Sequence, residues 1–114
     1  ANAPAKNLSI NPREALEWAT ITNARSLNLD HKIGSLTPGK QADIILINKN
    51  DLNIFPVHNP LESIVFQANG SNVDTVMING NLKKRRGKIL YRNLTKKKDL
   101  LFQSGRRILK GMNW

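Results

Sequence analysis

The stretch "GSLTPGKQADIILI", Gly34 to Ile47, decides how this chain reads. Pro38 presets φ at the second position of a turn, and Gly39 supplies the positive φ that the third position of a type II turn requires. Behind the turn, Ile44, Ile45, Leu46 and Ile47 form an unbroken apolar run where a half-exposed strand would alternate. That pattern predicts a strand covered on both faces. Such a strand needs material above and below it, and the rest of the chain is short of such material. Two readings compete for the polar residues beside it. In one, Lys40 binds an anion and Asp43 is an acid or base. In the other, Asp43 accepts backbone N–H bonds at the strand entry while Lys40 stays in water. No second titratable group lies near enough in sequence to divide acid and base roles with Asp43, so the structural reading is preferred.

Toward the N-terminus, "NPREALEWATITNARSLNL" predicts a helix over residues 12–29. Asn11 is a good N-cap, Pro12 suits the first helical position, and Glu14 completes a capping box. Leu16, Ala19, Thr20, Asn23, Ala24 and Leu27 recur at helical spacing on one face. That face is narrow and made mostly of small residues, so it suits close packing against a neighbour rather than a solitary helix. Asn28 to His31 is the expected exit, and "KIGS" beyond it reads as a short extended piece.

Toward the C-terminus, "NKNDLNIFPVHNP" is polar, broken by Pro56 and Pro60, and reads as loop. Asn59 and Pro60 open a short middle helix, "PLESIVFQA", that ends near Gly70. "NVDTVMING" is a strand running into Asn79-Gly80, a dipeptide suited to a type I′ hairpin because both central residues need positive φ. "NLKKRR" is the return strand, read as an exposed edge because lysine and arginine discourage further pairing. Gly87 separates it from "KILY". From Thr95 onward, Leu101, Ile108 and Met112 predict an amphipathic C-terminal helix that Gly105 weakens by ~1 kcal/mol relative to alanine. These elements predict an α+β fold in three segments: an N-terminal helix over 1–31, a β-rich segment over 32–92, and a basic helix over 93–114.

The 114 residues suffice for one domain at most, and only 39% are hydrophobic. There is no cysteine, so disulfides and thiolate metal sites are excluded. No apolar run approaches the ~18 residues of a spanning helix, and "ANAPAKNLSINP" has no signal-peptide core, so a cytoplasmic location without membrane contact is expected. The net charge of +10 is local. Residues 1–82 carry 6 Lys/Arg against 7 Asp/Glu, whereas residues 83–114 carry 12 against 1. Such a block attracts phosphates or an acidic partner. No groove-reading motif or aromatic platform accompanies it, so nucleic acid is the disfavoured partner.

Chemistry is hard to find. His31 and His58 sit in expected turns with no His-x-His, no His-Glu-x-x-His and no carboxylate cluster, whereas zinc needs three or four converging ligands. Ser9, Ser26, Ser35, Ser63, Ser71 and Ser104 lack a nucleophile-elbow context. The scattered glycines make no phosphate cradle. No catalytic, cofactor-binding or metal-ligating residue is therefore expected in the chain. Pro38, Gly39, Asp43, Asn79 and Gly80 are singled out as structural.

The ordered set "ALEWATITNARSLNL", "KIGSLTPGKQADIILI", "FPVHNPLESIVFQ" and "VDTVMINGNLKKRRGKIL" resembles the C-terminal part of the amidohydrolase superfamily, and within it the cytosine deaminase and chlorohydrolase-like branch. The resemblance covers roughly residues 10–92. It implies a parent in which a (β/α)8 barrel holds zinc or iron through a His-x-His, further histidines and an aspartate. The metal's task there is to lower the pKa of a water that attacks a carbon bearing an amino group or halide. It also implies a small composite β-sandwich beside the barrel, built from both chain ends. On this reading residues 12–29 are a late barrel helix, residues 33–92 are a partial β-sandwich, and Asp43 is the aspartate of a "GK-x-AD" motif rather than a metal ligand. The expected partner is the remainder of that parent, with a homodimer through an exposed strand edge or helix face as a second expectation. A stand-alone basic module binding nucleic acid or an acidic partner is the alternative.

Overall fold

Asn11 starts the first helix as its side chain dictates. Its Oδ1 accepts the Glu14 N–H at 2.9 Å, and Glu14 Oε2 accepts the Asn11 N–H at 3.0 Å, so two orphan donors are satisfied together. In the computed structural model, which describes residues 9–112, helix α1 runs over residues 12–26. The outer ends of the expected first and last segments, residues 1–8 and 113–114, lie outside the described residues. The middle of α1, Trp18–Thr22, widens into a π-helical turn. There Thr20 Oγ1 donates back to the Leu16 carbonyl at 2.7 Å. The helix stops at Ser26, three residues before the expected end. Asn28 takes a left-handed conformation (φ 55°), so the Leu29 N–H reaches back to the Ala24 carbonyl at 2.8 Å and the Asn28 N–H to the Arg25 carbonyl at 3.0 Å. This is a Schellman motif with asparagine in the place more often held by glycine.

After this exit the chain folds back over the helix. Gly34 (φ +94°) passes so close that a Cβ there would lie 2.7 Å from Ala24 Cβ. Residues 32–35 form turns and bends, not the extended piece expected. Their geometry is set by the Gln41 N–H bonding the Lys32 carbonyl at 2.8 Å across the loop mouth. The next turn closes with the Lys40 N–H on the Thr37 carbonyl at 3.1 Å, with Gly39 at φ +91°, as a type II turn requires. Lys40 departs from the expectation that it stays in water. It is half-buried, and its Nζ lies 3.5 Å from the Ile33 carbonyl.

Strands β1 (Ile44–Ile47), β2 (Val73–Ile78), β3 (Asn81–Arg85) and β4 (Lys88–Ile89) form one antiparallel sheet in the order β1-β2-β3-β4. The β2–β3 turn holds Asn79 at φ 49° and Gly80 at φ 74°, both positive as a type I′ turn demands. Arg86 (φ 49°) and Gly87 (φ 74°) repeat that geometry one strand later. Because of this second turn, β3 with its Lys83, Lys84 and Arg85 is an interior strand, and the edge expected there is formed by the short β4. The register breaks between Leu46 and Ile47 against β2, and between Val76 and Met77 against β3. Such breaks bend and twist a sheet.

Helix α2 covers residues 60–67, and Asn59 Oδ1 caps it by accepting the Leu61 and Glu62 N–H groups at 3.1 and 3.4 Å. A 3₁₀ turn, Gly70–Asn72, leads into β2. Helix α3, Leu94–Gly111, closes the chain with no buried residue. The molecule is thus α+β, with one sheet and three helices among the described residues.

Its core is thin. The buried apolar side chains among the described residues are Ala24 and Ile54. Ile45 and Leu46, expected to be covered on both faces, are 55% and 56% exposed. The radius of gyration is 20.0 Å, where a compact chain of this length has roughly 13 Å. The helices, strands and caps are formed, but their apolar faces lack cover from within the described residues.

Candidate functional site

An apolar groove of about 530 Å³ lies between α1, the 33–36 segment, the start of β1 and α2. Leu16, Ala19, Thr20, Asn23, Ala24 and Leu27, the face read from helical spacing, all line it. Gly34 forms part of its wall because only a residue without Cβ can approach Ile21 and Ala24 so closely. Ile44, Ile45 and Ile64 complete the apolar lining. Its polar groups are few: two side-chain hydroxyls, one carboxamide and the Asp43 carboxylate. The Thr20 hydroxyl is already committed to its own helix. Among the described residues it brings together no pair of titratable groups arranged to move a proton.

Asp43 has a definite task. Its Oδ1 accepts the Asn79 N–H at 2.7 Å, and the neighbouring Ala42 carbonyl accepts the Gly80 N–H at 3.0 Å. Two bonds thus tie the β2–β3 turn to the entry of β1. Of the five residues singled out from sequence, Asp43, Asn79 and Gly80 meet at this junction. Pro38 and Gly39 form their own exposed turn. The carboxylate can hold that amide because Asn79, at the left-handed position of a type I′ turn, has no ladder partner for its N–H.

His31 is exposed beyond α1. His58 and Glu62 line a shallow cavity of about 180 Å³ with Pro56, Asn59, Ser63, Phe66 and Gln67. One imidazole and one carboxylate are too few for the three protein ligands of a catalytic zinc. No group of three or more His, Cys, Asp or Glu side chains converges among the described residues. The donor set present here therefore does not fit a metal centre.

A polar hub escaped the sequence reading. Asn72 is 1% exposed, yet both ends of its carboxamide are satisfied. Its Nδ2 donates to Asp51 Oδ2 and Asn53 Oδ1, both at 2.8 Å, and its Oδ1 accepts from Asn53 Nδ2 and the Asn69 N–H, both at 2.9 Å. The Asn72 carbonyl also accepts the Asn48 N–H at 2.8 Å. A buried amide so completely paired locks the 48–54 loop onto the start of β2. Nothing in the polar run "NKNDLN" singles out its partner nearly twenty residues on, because asparagine and aspartate serve equally well in loops.

Comparison with known proteins places this scaffold. The profile of the amidohydrolase family matches residues 2–83. The chain belongs to the amidohydrolase family. It is 43% identical over 72 residues to a 5-methylthioadenosine/S-adenosylhomocysteine deaminase of Teredinibacter turnerae, covering 63% of this chain and 16% of that protein. Against an S-triazine hydrolase of Gordonia rubripertincta it is 41% identical over 73 residues, covering 64% of this chain and 15% of that protein. It superposes on the crystal structure of an adenosine deaminase from Xanthomonas campestris with bound zinc at a TM-score of 0.80 and 27% identity, covering 88% of this chain and 23% of that one. This amidohydrolase chain thus spans less than a quarter of the length of each of these relatives. The family match ends where the excess of positive charge begins.

Proposed function

We propose that this chain is a non-catalytic C-terminal segment of a metal-dependent amidohydrolase, whose whole hydrolyses C–N or C–Cl bonds of amino- or halo-substituted heterocycles. The observation that carries the proposal is the groove. Helix, loop and strand turn apolar faces toward one concavity of about 530 Å³, while Ala24 and Ile54 are the buried apolar residues described. Burying apolar surface stabilises by about 25 cal/mol per Å², so faces left open in this way are interfaces awaiting cover. The cover that fits is the remainder of the same polypeptide: barrel wall over α1 and partner strands over β1. Support for the substrate class comes from the relatives, named as deaminases of adenine nucleosides and as a triazine hydrolase. The metal chemistry of such a whole belongs to residues outside this chain, and the chain's contribution is positional.

Zinc titration and a deaminase assay on the chain by itself test this directly. The expected result is no tight stoichiometric binding and no turnover, and either one would refute the non-catalytic reading. Where the groove and the β1 edge lack their cover, the chain pairs with a second copy. Light scattering is then expected to show a mass that rises with concentration and falls back when Ile45 is replaced by lysine. A constant monomer mass removes that pairing.

The tail favours a second reading, in which residues 83–112 bind an acidic partner. Its cations are mostly exposed, α3 has no buried residue, and the family match stops at residue 83. Binding to a nucleic-acid oligomer with a steep salt dependence supports this reading. Loss of binding even at low salt excludes nucleic acid as the partner.

A further inference from the structure

The chain contains two Asn-Gly pairs, Asn69-Gly70 and Asn79-Gly80. Asparagine before glycine is open to self-modification. The backbone nitrogen of the glycine attacks the asparagine Cγ, forming a C–N bond. The side-chain nitrogen leaves as ammonia, carrying away the proton that the glycine amide gave up. Water then opens the five-membered imide at either carbonyl, leaving aspartate or isoaspartate. In sequence the two pairs are equivalent, but the fold treats them differently.

At Asn69 the side-chain oxygen accepts the Ser71 N–H at 2.9 Å and the Ser71 Oγ–H at 2.6 Å. Negative charge develops on this oxygen as the amide nitrogen attacks, and two donors already aimed at it stabilise that charge. The backbone at Asn69 is extended (φ −137°, ψ −178°). A side chain on Gly70 would meet nothing within 4 Å, and the same holds at Gly80, so open space is common to both pairs and the hydrogen bonds are what separate them. All three residues of Asn69-Gly70-Ser71 are exposed.

At Asn79 the same reaction is held back. The Gly80 N–H, the group that must attack, donates to the Ala42 carbonyl at 3.0 Å. The Asn79 N–H is fixed by Asp43 at 2.7 Å, so the turn cannot rotate toward the imide geometry without breaking both bonds.

We infer that Asn69 is a modification site, converted through a cyclic imide to aspartate or isoaspartate in the folded protein while Asn79 is spared. The two products have opposite consequences. Aspartate keeps the capping oxygen and leaves the turn intact. Isoaspartate inserts a backbone carbon and separates residue 69 from the hub, where the Asn69 N–H now bonds the buried Asn72 Oδ1 at 2.9 Å. Its formation therefore opens the polar hub beneath β2.

The test is ageing of the intact folded protein at mildly alkaline pH, followed by peptide mass spectrometry at both pairs, with urea-unfolded protein as reference. In urea the two sites react alike. In the folded protein Asn69 is expected to react at least about tenfold faster than Asn79, since two donor bonds assist one site and restrain the other. Ser71→Ala removes the hydroxyl donor and is expected to slow Asn69 about fivefold while Asn79 keeps its rate. If that variant were unfolded, Asn79 would speed up, so unfolding is recognised within the same measurement. Equal native rates, faster reaction at Asn79, or an Asn69 rate unchanged in a folded Ser71→Ala protein overturns the inference.

Discussion

Replacing Gly34 by alanine separates two costs that glycine conceals. An added Cβ would sit 2.7 Å from Ala24 Cβ, 3.0 Å from Ile21 Cα and 3.3 Å from Ile21 Cδ1. Favourable carbon–carbon contacts lie at about 3.5–4.0 Å, so the first two are overlaps, and one is with backbone that cannot rotate away. The left-handed φ of +94° adds roughly 1–2 kcal/mol for any residue with a Cβ. Overpacking adds about 1–3 kcal/mol more. The expected loss is therefore about 2–5 kcal/mol, a large part of the stability of a small protein. Gly39→Ala supplies the control. Its φ of +91° is nearly the same, but nothing lies within 4 Å of the added atom. Only the conformational cost of about 1–2 kcal/mol applies there. Urea midpoints at constant m-value give both losses, and their difference isolates the contact term. Hydrogen exchange of the Asn28 and Leu29 amides should rise in the Gly34 variant, since their bonds to Arg25 and Ala24 close the same helix end. Equal destabilisation of the two variants, within about 0.5 kcal/mol, would refute the claim that Gly34 is required by close approach.

Other substitutions probe the remaining supports. Asn72→Ala removes the four side-chain hydrogen bonds of a buried carboxamide and leaves a cavity in its place, and a loss of about 2–3 kcal/mol is expected in urea unfolding. Asn11→Ala removes the capping box and should lower stability by about 1 kcal/mol, read as reduced helicity by circular dichroism. Asp43→Ala should expose the Asn79 amide to exchange and lose about 1–2 kcal/mol, whereas Asp43→Asn keeps an oxygen acceptor and should lose less than half of that. If the Asp43→Ala protein keeps a slowly exchanging Asn79 amide, the tether between turn and strand is not what holds it.

The residues that were legible are those whose partners lie close in sequence. Asn11 and Glu14 are three positions apart, and their reciprocal bonds follow from helix geometry once Pro12 starts the first turn. Pro38-Gly39 and Asn79-Gly80 set their own φ angles, so both turns could be read without knowing what surrounds them. Arg86-Gly87 adopts the same angles as Asn79-Gly80 but was not read as a turn, because arginine has no preference for positive φ and the sheet must impose it. That one turn is why "NLKKRR" became an interior strand. The apolar run of β1 predicted a strand covered on both faces, which the described residues do not provide. The shortage of covering material was legible too, and Ile45 and Leu46 are 55% and 56% exposed.

The starts of α1 and α2, the turns at Pro38-Gly39 and Asn79-Gly80 and the apolar face of α1 were determined by the sequence itself, since each depends on the intrinsic backbone preferences of a few neighbouring residues or on a period of 3.6. The tie from Asp43 to the turn at Asn79, the burial of Asn72 beneath the 48–54 loop and the passage of Gly34 over Ala24 were decided only by the tertiary structure. They join residues ten to thirty-six positions apart. Such contacts depend on how the sheet's register and the loops bring distant groups within bonding distance, and no local preference carries that information.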